Sequence, residues 1–420
     1  MLSSTNDNRK MLSWAFYDWA NSAFSTTVIV GFFPIFFKQY WSADADAVES
    51  TFWLGAANSA ASVLVAICAP VLGTIADKGS FKKKHLLAFA GMAIVMTGVL
   101  PFIAKGNWQI ALLIYIMAIT GFSGANIFYD ALIVDVSPKD KLERVSAIGY
   151  SLGYLGGGLL FALNVAMVLS PATFGLADSS EGVKWSFASV AIWWAIFSIP
   201  LLLFVTEQPR TGVVYSAALV KSAFKHLAET FKSIRQHKTV FVFLLAYWLY
   251  IDGVYTVNKM AVAYGIDIGL KSDTLISALL LTQFVGFPAA YLFGIIGEKY
   301  GPKKGIYPGL AIYTIAVIWG YFMSSSWEFY FLAGAIGIAI GGVQSLSRAF
   351  FARLIPSEKA GEFFGFYNAL GKLASILGPV LMGSVGLLTG SVRLGIMATG
   401  LLIIAGGTLL YFVDDNTGKA

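Results

Sequence analysis

Charge is scarce in this chain. Only 12% of its 420 residues are Asp, Glu, Lys or Arg, against about 25% in a soluble protein. That leaves no room for a large soluble domain. Cysteine is nearly absent. Cys68 stands alone, which excludes an internal disulfide and a cysteine metal site, and its apolar neighbours mark it as a core-packing residue. Histidine is limited to His85, His226 and His237, all expected at helix ends or in loops, in contact with solvent. There is no Walker phosphate loop, no His-Glu-x-x-His and no Gly-x-Ser-x-Gly. An ATP-driven pump, an intramembrane hydrolase or any other enzyme therefore has no support, and no cofactor or metal is implied.

What the chain has instead is apolar length. Hydrophobic residues make up 57% of it, in runs of roughly 20 residues or more, each long enough to cross a bilayer. Twelve such segments are read: 12–38, 52–77, 84–104, 108–135, 142–170, 184–206, 239–265, 272–297, 305–325, 327–353, 360–389 and 392–413. The fold class expected is an all-α membrane protein. Its twelve transmembrane helices form two pseudo-symmetric bundles of six. Segment 1 is too long for a signal-peptide core and runs through polar Asp18 and Asn21, so it is expected to be retained.

Lys and Arg in the connections set the orientation. With the N-terminus inside, 21 of the 29 fall in inner connections and tails and five in outer ones; Lys259, Arg348 and Lys372 lie inside spans. Both termini are expected to be cytoplasmic, in a cell (inner) membrane. The net charge of +6 is a topology signal and does not point to a nucleic-acid partner. Trp14, Trp41, Trp53, Trp108, Trp185 and Trp327 fall near segment ends and are read as interface anchors, with Trp14 set apart beside Asp18.

The halves repeat. Residues 73–83 read GTIADKGSFKK and residues 294–304 read GIIGEKYGPKK, 221 residues later. Each follows one long apolar segment and leads into the next. The expected divisions are a bundle at 1–206, a linker at 207–238 and a bundle at 239–420. Gly73, Asp77, Lys78 and Lys82, with Gly294, Glu298, Lys299 and Lys303, form a candidate cytoplasmic gate. Its carboxylates are expected to face the N-terminus of a neighbouring helix, whose dipole favours negative charge. The repeat continues between 136–157 and 354–375, where Pro138 and Pro356 are offset by 218, as are Gly153 and Gly371. Glycines 149, 153, 156, 157 and 158 on segment 5, and 365, 371, 378 and 383 on segment 11, allow close helix approach in lipid. In the linker, Leu219, Phe224, Leu227, Phe231 and Ile234 recur at helical spacing among Lys221, Lys225, Lys232 and Arg235. That is a basic amphipathic helix suited to a lipid surface.

Ionisable groups inside a span mark cavities, relays or buried pairs. Asp18 and Asn21 share a face of segment 1, with Tyr17 alongside. Asp130 stands beside Tyr129 on segment 4. Asp252 and Lys259 share a face of segment 7, near Tyr255 and Asn258. Gln344 and Arg348 lie on segment 10, Asn368 and Lys372 on segment 11. Three acids face three bases. The first half supplies two acids and no base, the second three bases and one acid. This set suits a zwitterion, with its ammonium at Asp18 or Asp130 and its carboxylate at Arg348 or Lys372. It also suits acid–base pairs that join the halves in one state and separate in another. Permanent buried pairs remain the structural alternative. Coupling to protons needs a carboxylate whose proton affinity responds to opening of the site, and Asp130 and Asp18 are the candidates.

The two loop signatures resemble those of the major facilitator superfamily. YDWANSAF (17–24), GGVQSLSRAFFARLIP (341–356) and FFGFYNALGK (363–372) are similar, more narrowly, to the "unknown major facilitator" family. That family is related to the autophagy-linked vacuolar amino-acid effluxers. The first loop departs from the superfamily pattern: Ser80 and Phe81 stand where Gly and Arg are common, while Lys82 to Lys84 keep the charge. The resemblance implies alternating access around a central site lined by segments 1, 4, 7 and 10. The function expected is secondary-active, proton-coupled transport of a small polar or zwitterionic solute, amino acids or short peptides first, by a monomer in contact with membrane lipid. The alternatives are an exporter of amphipathic compounds and a non-transporting membrane receptor or scaffold.

Overall fold

The computed structural model describes residues 5–44, 47–207, 235 and 237–414. The linker's amphipathic segment lies outside the described residues. Twelve helices are long and apolar enough to cross a membrane. They are α1 (Asp7–Trp41), α2 (Ala47–Gly79), α3 (Lys82–Val99), α4 (Trp108–Ala131), α5 (Leu142–Leu169), α6 (Ser179–Phe204), α7 (Lys238–Asp267), α8 (Ser272–Tyr300), α9 (Pro302–Phe322), α10 (Ser326–Leu354), α11 (Ala360–Thr389) and α12 (Val392–Tyr411). Among the described residues there is no strand. A helix satisfies its own backbone bonds, which lipid demands. Polar caps are added at the ends: Asp178 accepts from the Glu181 N–H at 2.8 Å, and Ser325 with Glu328 closes a capping box on α10. From Phe24 to Phe32 α1 widens into π-helix.

α1–α6 form one bundle and α7–α12 the other. They meet along two seams, α2 with α11 and α5 with α8, and α10 also packs on α5. Because six helices return the chain to its starting side, the N-terminus, the 2–3 and 8–9 loops and the end of α12 share one end of the molecule, called here the terminal end. α5 and α11 begin alike at that end. Each follows a proline (Pro138, Pro356) and a single 3-10 turn (Lys139–Lys141, Ser357–Lys359).

Three expectations need correction. Cys68 is exposed, because α2 turns Ala61, Val65, Ala69 and Ala76 inward and leaves Cys68 on the outer face. Trp41 is fully buried rather than an interface anchor: its indole N–H donates to the Ile103 carbonyl at 3.2 Å and its ring packs on Phe33, Phe36 and Phe187. His85 is half-buried, bonded through Nδ1 to the Phe81 carbonyl at 2.7 Å and set against the Phe128 ring.

Within a bundle the small residues fix close approach. A methyl group on Gly406 of α12 would fall 2.4 Å from the Tyr250 backbone nitrogen of α7 and 2.7 Å from the Ala246 carbonyl oxygen. Gly406→Ala is therefore expected to lower the melting temperature of the detergent-purified protein, by overpacking of about 1–3 kcal/mol. Gly383→Ala, where a methyl meets nothing within 4 Å, should leave it unchanged.

Candidate functional site

The centre of the molecule is one arginine. Arg348 of α10 is 2% exposed and its guanidinium reaches into the opposite bundle. Nη1 lies 3.1 Å from Oδ1 of Asp130 on α4, and Nη2 lies 3.4 Å from Oδ2 of Asp18 on α1. Nε donates to the Ser146 hydroxyl at 2.8 Å, and Nη2 to the Ser146 carbonyl at 2.9 Å. Asp18 also accepts from the Tyr129 hydroxyl at 2.8 Å, and Asp130 from the Asn368 amide at 3.0 Å. The rings of Tyr150, Trp14 and Tyr129 stand 4.3, 4.9 and 5.3 Å from the guanidinium carbon, within cation–π range. Trp14 stacks on Tyr129 at 4.3 Å and donates its N–H to the Tyr129 carbonyl at 2.9 Å. Tyr17 also packs on Tyr129, with ring centroids 5.0 Å apart. Gly149 leaves the space, since a methyl there would stand 2.8 Å from the Asp18 carboxylate and 3.1 Å from Nη2 of Arg348.

The remaining site residues stand toward the other end, called here the far end. Asn21 donates to Asn126 at 2.6 Å. Gln344 accepts from Tyr154 of the first half at 3.2 Å, and Tyr255 is half-buried on α7. Lys372 lies one turn beyond Asn368, its ammonium 5.9 Å from the Phe122 ring of α4. Lys259 is exposed on α7. Asp252 stands apart from the Arg348 cluster. It is buried and accepts the Gly378 N–H at 2.9 Å, immediately before Pro379 interrupts the α11 ladder. Its place between α7 and α11 of the same bundle separates it from the acids the sequence groups with it. Among the described residues no group of three or more His, Cys, Asp or Glu could hold a metal ion.

The two loop signatures behave differently. Asp77 of α2 accepts from the Gly361 and Glu362 backbone N–H groups at 2.9 and 2.8 Å. A buried carboxylate thus caps the N-terminus of α11 across the seam, where the dipole favours it. Gly73 lets the helices touch: a methyl there would fall 2.1 Å from the Gly361 carbonyl oxygen. Lys82 bridges Asp77 at 3.7 Å and Asp135 at 2.9 Å. On the other seam Gly294 packs on Ala147 of α5. There Glu298 makes only an exposed pair with the Arg144 side chain, at 3.9 Å. Lys303 donates to the Tyr411 and Val413 carbonyls at 2.8 and 2.6 Å, capping the end of α12. Lys78 is half-buried, and Lys299 lies over the Tyr300 ring at 5.1 Å. The turn itself demands a left-handed residue. Gly301 has φ +91° and Ser80, at the matched position, φ +53°, so the serine that departs from the pattern carries strain the glycine does not.

The structure adds residues the sequence reading passed over. Glu143 of α5 is fully buried and pairs with Arg353 of α10 through two contacts, 2.6 and 2.7 Å. Asp135 holds Lys82. Glu207 caps α3 by accepting the Lys82 and Lys83 N–H groups at 2.9 and 2.8 Å. Burial pushes the Glu207 carboxyl up, opposed by those two N–H groups and the Lys82 charge. The 218-residue offset already contained part of the signal. It pairs Asp130 with Arg348, Asp135 with Arg353, Asn126 with Gln344 and Tyr150 with Asn368. An acid on α4 and one in the short turn after it (Ile133–Val136) thus become arginines on α10, and the first of these matched pairs meets across the pseudo-two-fold. Of the cross-half bonds named here, the Tyr154–Gln344 bond lies beyond the cluster; the others lie between the cluster level and the terminal end.

Known proteins share this architecture. The profile of the family described as "Vacuole effluxer Atg22 like" matches residues 6–138 and 135–420. The MFS-type transporter YxiO of Bacillus subtilis (strain 168) is 39% identical over 407 residues, covering 96% of this chain and 95% of its own. Autophagy-related protein 22 of Yarrowia lipolytica is 27% identical over 322 residues; the match covers 69% of this chain and 53% of that longer protein. Among solved structures, the human organic anion transporter MFSD10 aligns with a TM-score of 0.72 at 15% identity, covering 96% of this chain and 99% of that one. The proton:xylose symporter XylE aligns with a TM-score of 0.71 at 14% identity, covering 99% and 96%. These last two likenesses show the fold.

Two outcomes follow from the geometry. Arg348→Gln leaves two buried carboxylates without their cation and should cost about 3–5 kcal/mol, read as a large fall in melting temperature. Adding Asp130→Asn should recover part of that fall, and no recovery in the double variant would show that the pair is not coupled. At the gate, a hydrogen bond to a charged group contributes about 1.5–3 kcal/mol. Asp77→Asn, or Gly73→Ala, should therefore raise thiol labelling of Phe364→Cys in a Cys68→Ser background by about tenfold. Phe364 is fully buried below the cluster, so unchanged labelling would remove Asp77 from the gate.

Proposed function

The chain belongs to the Atg22-like family of major-facilitator transporters, and we propose that it is a secondary-active carrier whose two halves, 1–206 and 239–420, rock about the Arg348 cluster with 207–238 as their link. It is a multi-pass membrane protein and a transporter by family. The observation that carries the mechanism is the origin of the charges. Arg348 comes from one half; Asp18 and Asp130 come from the other. Such a latch holds while the terminal end is shut and must release when the halves part there. The Asp77 cap on α11 and the Glu143–Arg353 pair shut the same end. The Lys and Arg bias places that end in the cytoplasm, which makes this the outward-facing state, in a cell (inner) membrane.

The solute is small and polar or zwitterionic, with amino acids and short peptides first. The balance of three acids and three bases supports this class, and the three bases disfavour a lipophilic-cation exporter. Asp130 is the group to which we assign proton coupling. It sits at the latch, and its partner in the second half is lost on opening. Protonation then replaces Arg348 as the way to avoid a bare buried carboxylate.

The test is transport in liposomes. Candidate solutes are first found by thermal shift, since a ligand that binds only the folded state raises stability by about 2.7 kcal/mol at a hundred times its Kd. In Asp130→Asn, uptake driven by a pH gradient is expected to be lost, while solute counterflow, which needs no gradient, is kept. Gradient-driven uptake that survives in both Asp130→Asn and Asp18→Asn would remove proton coupling from these residues.

A further inference from the structure

The halves meet in levels, and the 218-residue offset relates the partners within each level. At the level of Arg348 both symmetric contacts are made. Tyr150 of α5 covers Arg348 of α10, 4.3 Å from ring to guanidinium carbon, and Asn368 of α11 donates to Asp130 of α4 at 3.0 Å. One turn nearer the far end, about 6 Å along each helix, stand Tyr154 with Gln344 on one side and Lys372 with Asn126 on the other. The same offset relates Tyr154 to Lys372 and Asn126 to Gln344. At this level one contact is made: Tyr154 donates to Gln344 at 3.2 Å. Its mate is open. Among the described residues no hydrogen bond joins Lys372 to Asn126, and no carboxylate lies within 4.0 Å of Lys372.

Geometry fixes where this open contact lies. α4 and α11 run antiparallel and pack on each other. The Asp130–Asn368 bond sets their register, so Asn126 and Lys372 are the next residues to face. The Lys372 ammonium lies 5.9 Å from the ring of Phe122, one turn past Asn126 on α4. Between Gly121 and Ile133 only Phe122 and Asn126 are not buried, and Lys372 is half-buried like them, so the two helices leave space between these side chains. The Asn126 oxygen is already used, accepting from Asn21 at 2.6 Å. Its amide N–H groups make no bond among the described residues. The seam therefore presents an ammonium and an amide donor for which the fold supplies no acceptor.

An ammonium inside a span is costly without a partner. We infer that Lys372 and the Asn126 amide receive the carboxylate of the transported solute, which enters from the far end while the terminal end is shut. One ammonium balances one negative charge. That suits a carboxylate better than a phosphate monoester, which carries nearly two. The inference rests on the transporter reading and narrows it: the solute carries a carboxylate. That acid stands one turn away from Arg348, whose donors are already taken by Asp18, Asp130 and Ser146.

The experiment follows the melting temperature of the full chain in detergent. The probes are alanine, leucine, glutamine, glutamate, alanylalanine and lactate, each beside the matching amide, and glycerol phosphate. At least one carboxylate is expected to raise the melting temperature where its amide does not. Asn126→Ala should weaken that binding by about tenfold, the change that 1.4 kcal/mol makes, and Lys372→Gln should abolish it. Because Lys372→Gln removes a cation the fold does not pair, the ligand-free melting temperature should not fall; a fall overturns the inference. Asn126→Asp supplies the missing carboxylate, so the ligand-free melting temperature should rise and the ligand shift vanish. A lower melting temperature with the ligand shift intact in that variant overturns the inference. So does equal stabilisation by the amides, stabilisation by glycerol phosphate alone or by no carboxylate, or a shift that survives Lys372→Gln. Binding needs no movement of the halves. If the carboxylate shift holds while the Phe364→Cys labelling shows no second state, the transporter reading fails and the carboxylate seat stands. Transport in liposomes with no carboxylate shift removes the seat and leaves the transporter.

Discussion

Everything in this structure is arranged around a guanidinium that is out of water. Arg348 cannot shed its charge, and a buried cation without partners costs several kcal/mol. Its partners come from the opposite half, so satisfying one side chain fixes how two bundles meet. α1 and α4 must bring Asp18 and Asp130 to the same face. α5 must pass close enough for Ser146 to bond Nε and Nη2, which needs no side chain at Gly149. Three aromatic rings complete the wall. The same arithmetic governs motion. Breaking such a pair costs about 3–5 kcal/mol, several times thermal energy, so separation requires that water, a proton or a solute charge take over as the pair parts.

The gate adds a second constraint of a different kind. On the α2–α11 seam a carboxylate binds backbone N–H groups at a helix N-terminus, an interaction fixed in direction and well buried. On the α5–α8 seam the matched carboxylate reaches only an exposed arginine, and exposed pairs contribute little. The buried Glu143–Arg353 pair sits near that weaker seam instead. The two seams are therefore alike in helix packing, through Gly73 and Gly294, but not in chemistry. The α2–α11 seam is the better locked of the two.

Much of this was legible in the sequence. Apolar length gave the twelve spans to within a few residues, because lipid leaves a helix little freedom in how long it can be. The loop signature singled out Asp77 and expected the start of some neighbouring helix beside it, without saying which; that helix is α11, whereas the matched Glu298 meets an arginine instead. What spacing along one helix does not say is which helix faces which. Asp18, Asp130 and Asp252 look equivalent as acids in apolar runs, yet the third turns to its own bundle and bonds Gly378 beside Pro379. Asp135, Glu143 and Arg353 fell near predicted boundaries, where a charge reads as solvated. The repeat offset would have recovered two of these three positions: 218 residues carry Asp130 onto Arg348 and Asp135 onto Arg353. Cys68 and Trp41 exchanged their expected places for the related reason that a span has an inside and a lipid side, and composition alone does not label them.

The charge reversal between α4 and α10 explains why a duplicated fold can work as a moving one. A repeat that kept Asp at both positions would set two carboxylates against each other across the pseudo-two-fold, and like charges in a low dielectric repel strongly. Arginine at one of the two turns the same symmetry into attraction. The residue next to each charge is matched as well. Asn368 of the second half holds Asp130, and Tyr150 of the first half covers Arg348; these two are again 218 residues apart. Asp18 then makes the cluster net negative by one. The far-side lysines outweigh Asp252 by one. These six charges therefore cancel only between the two groups, with one unit left over in each.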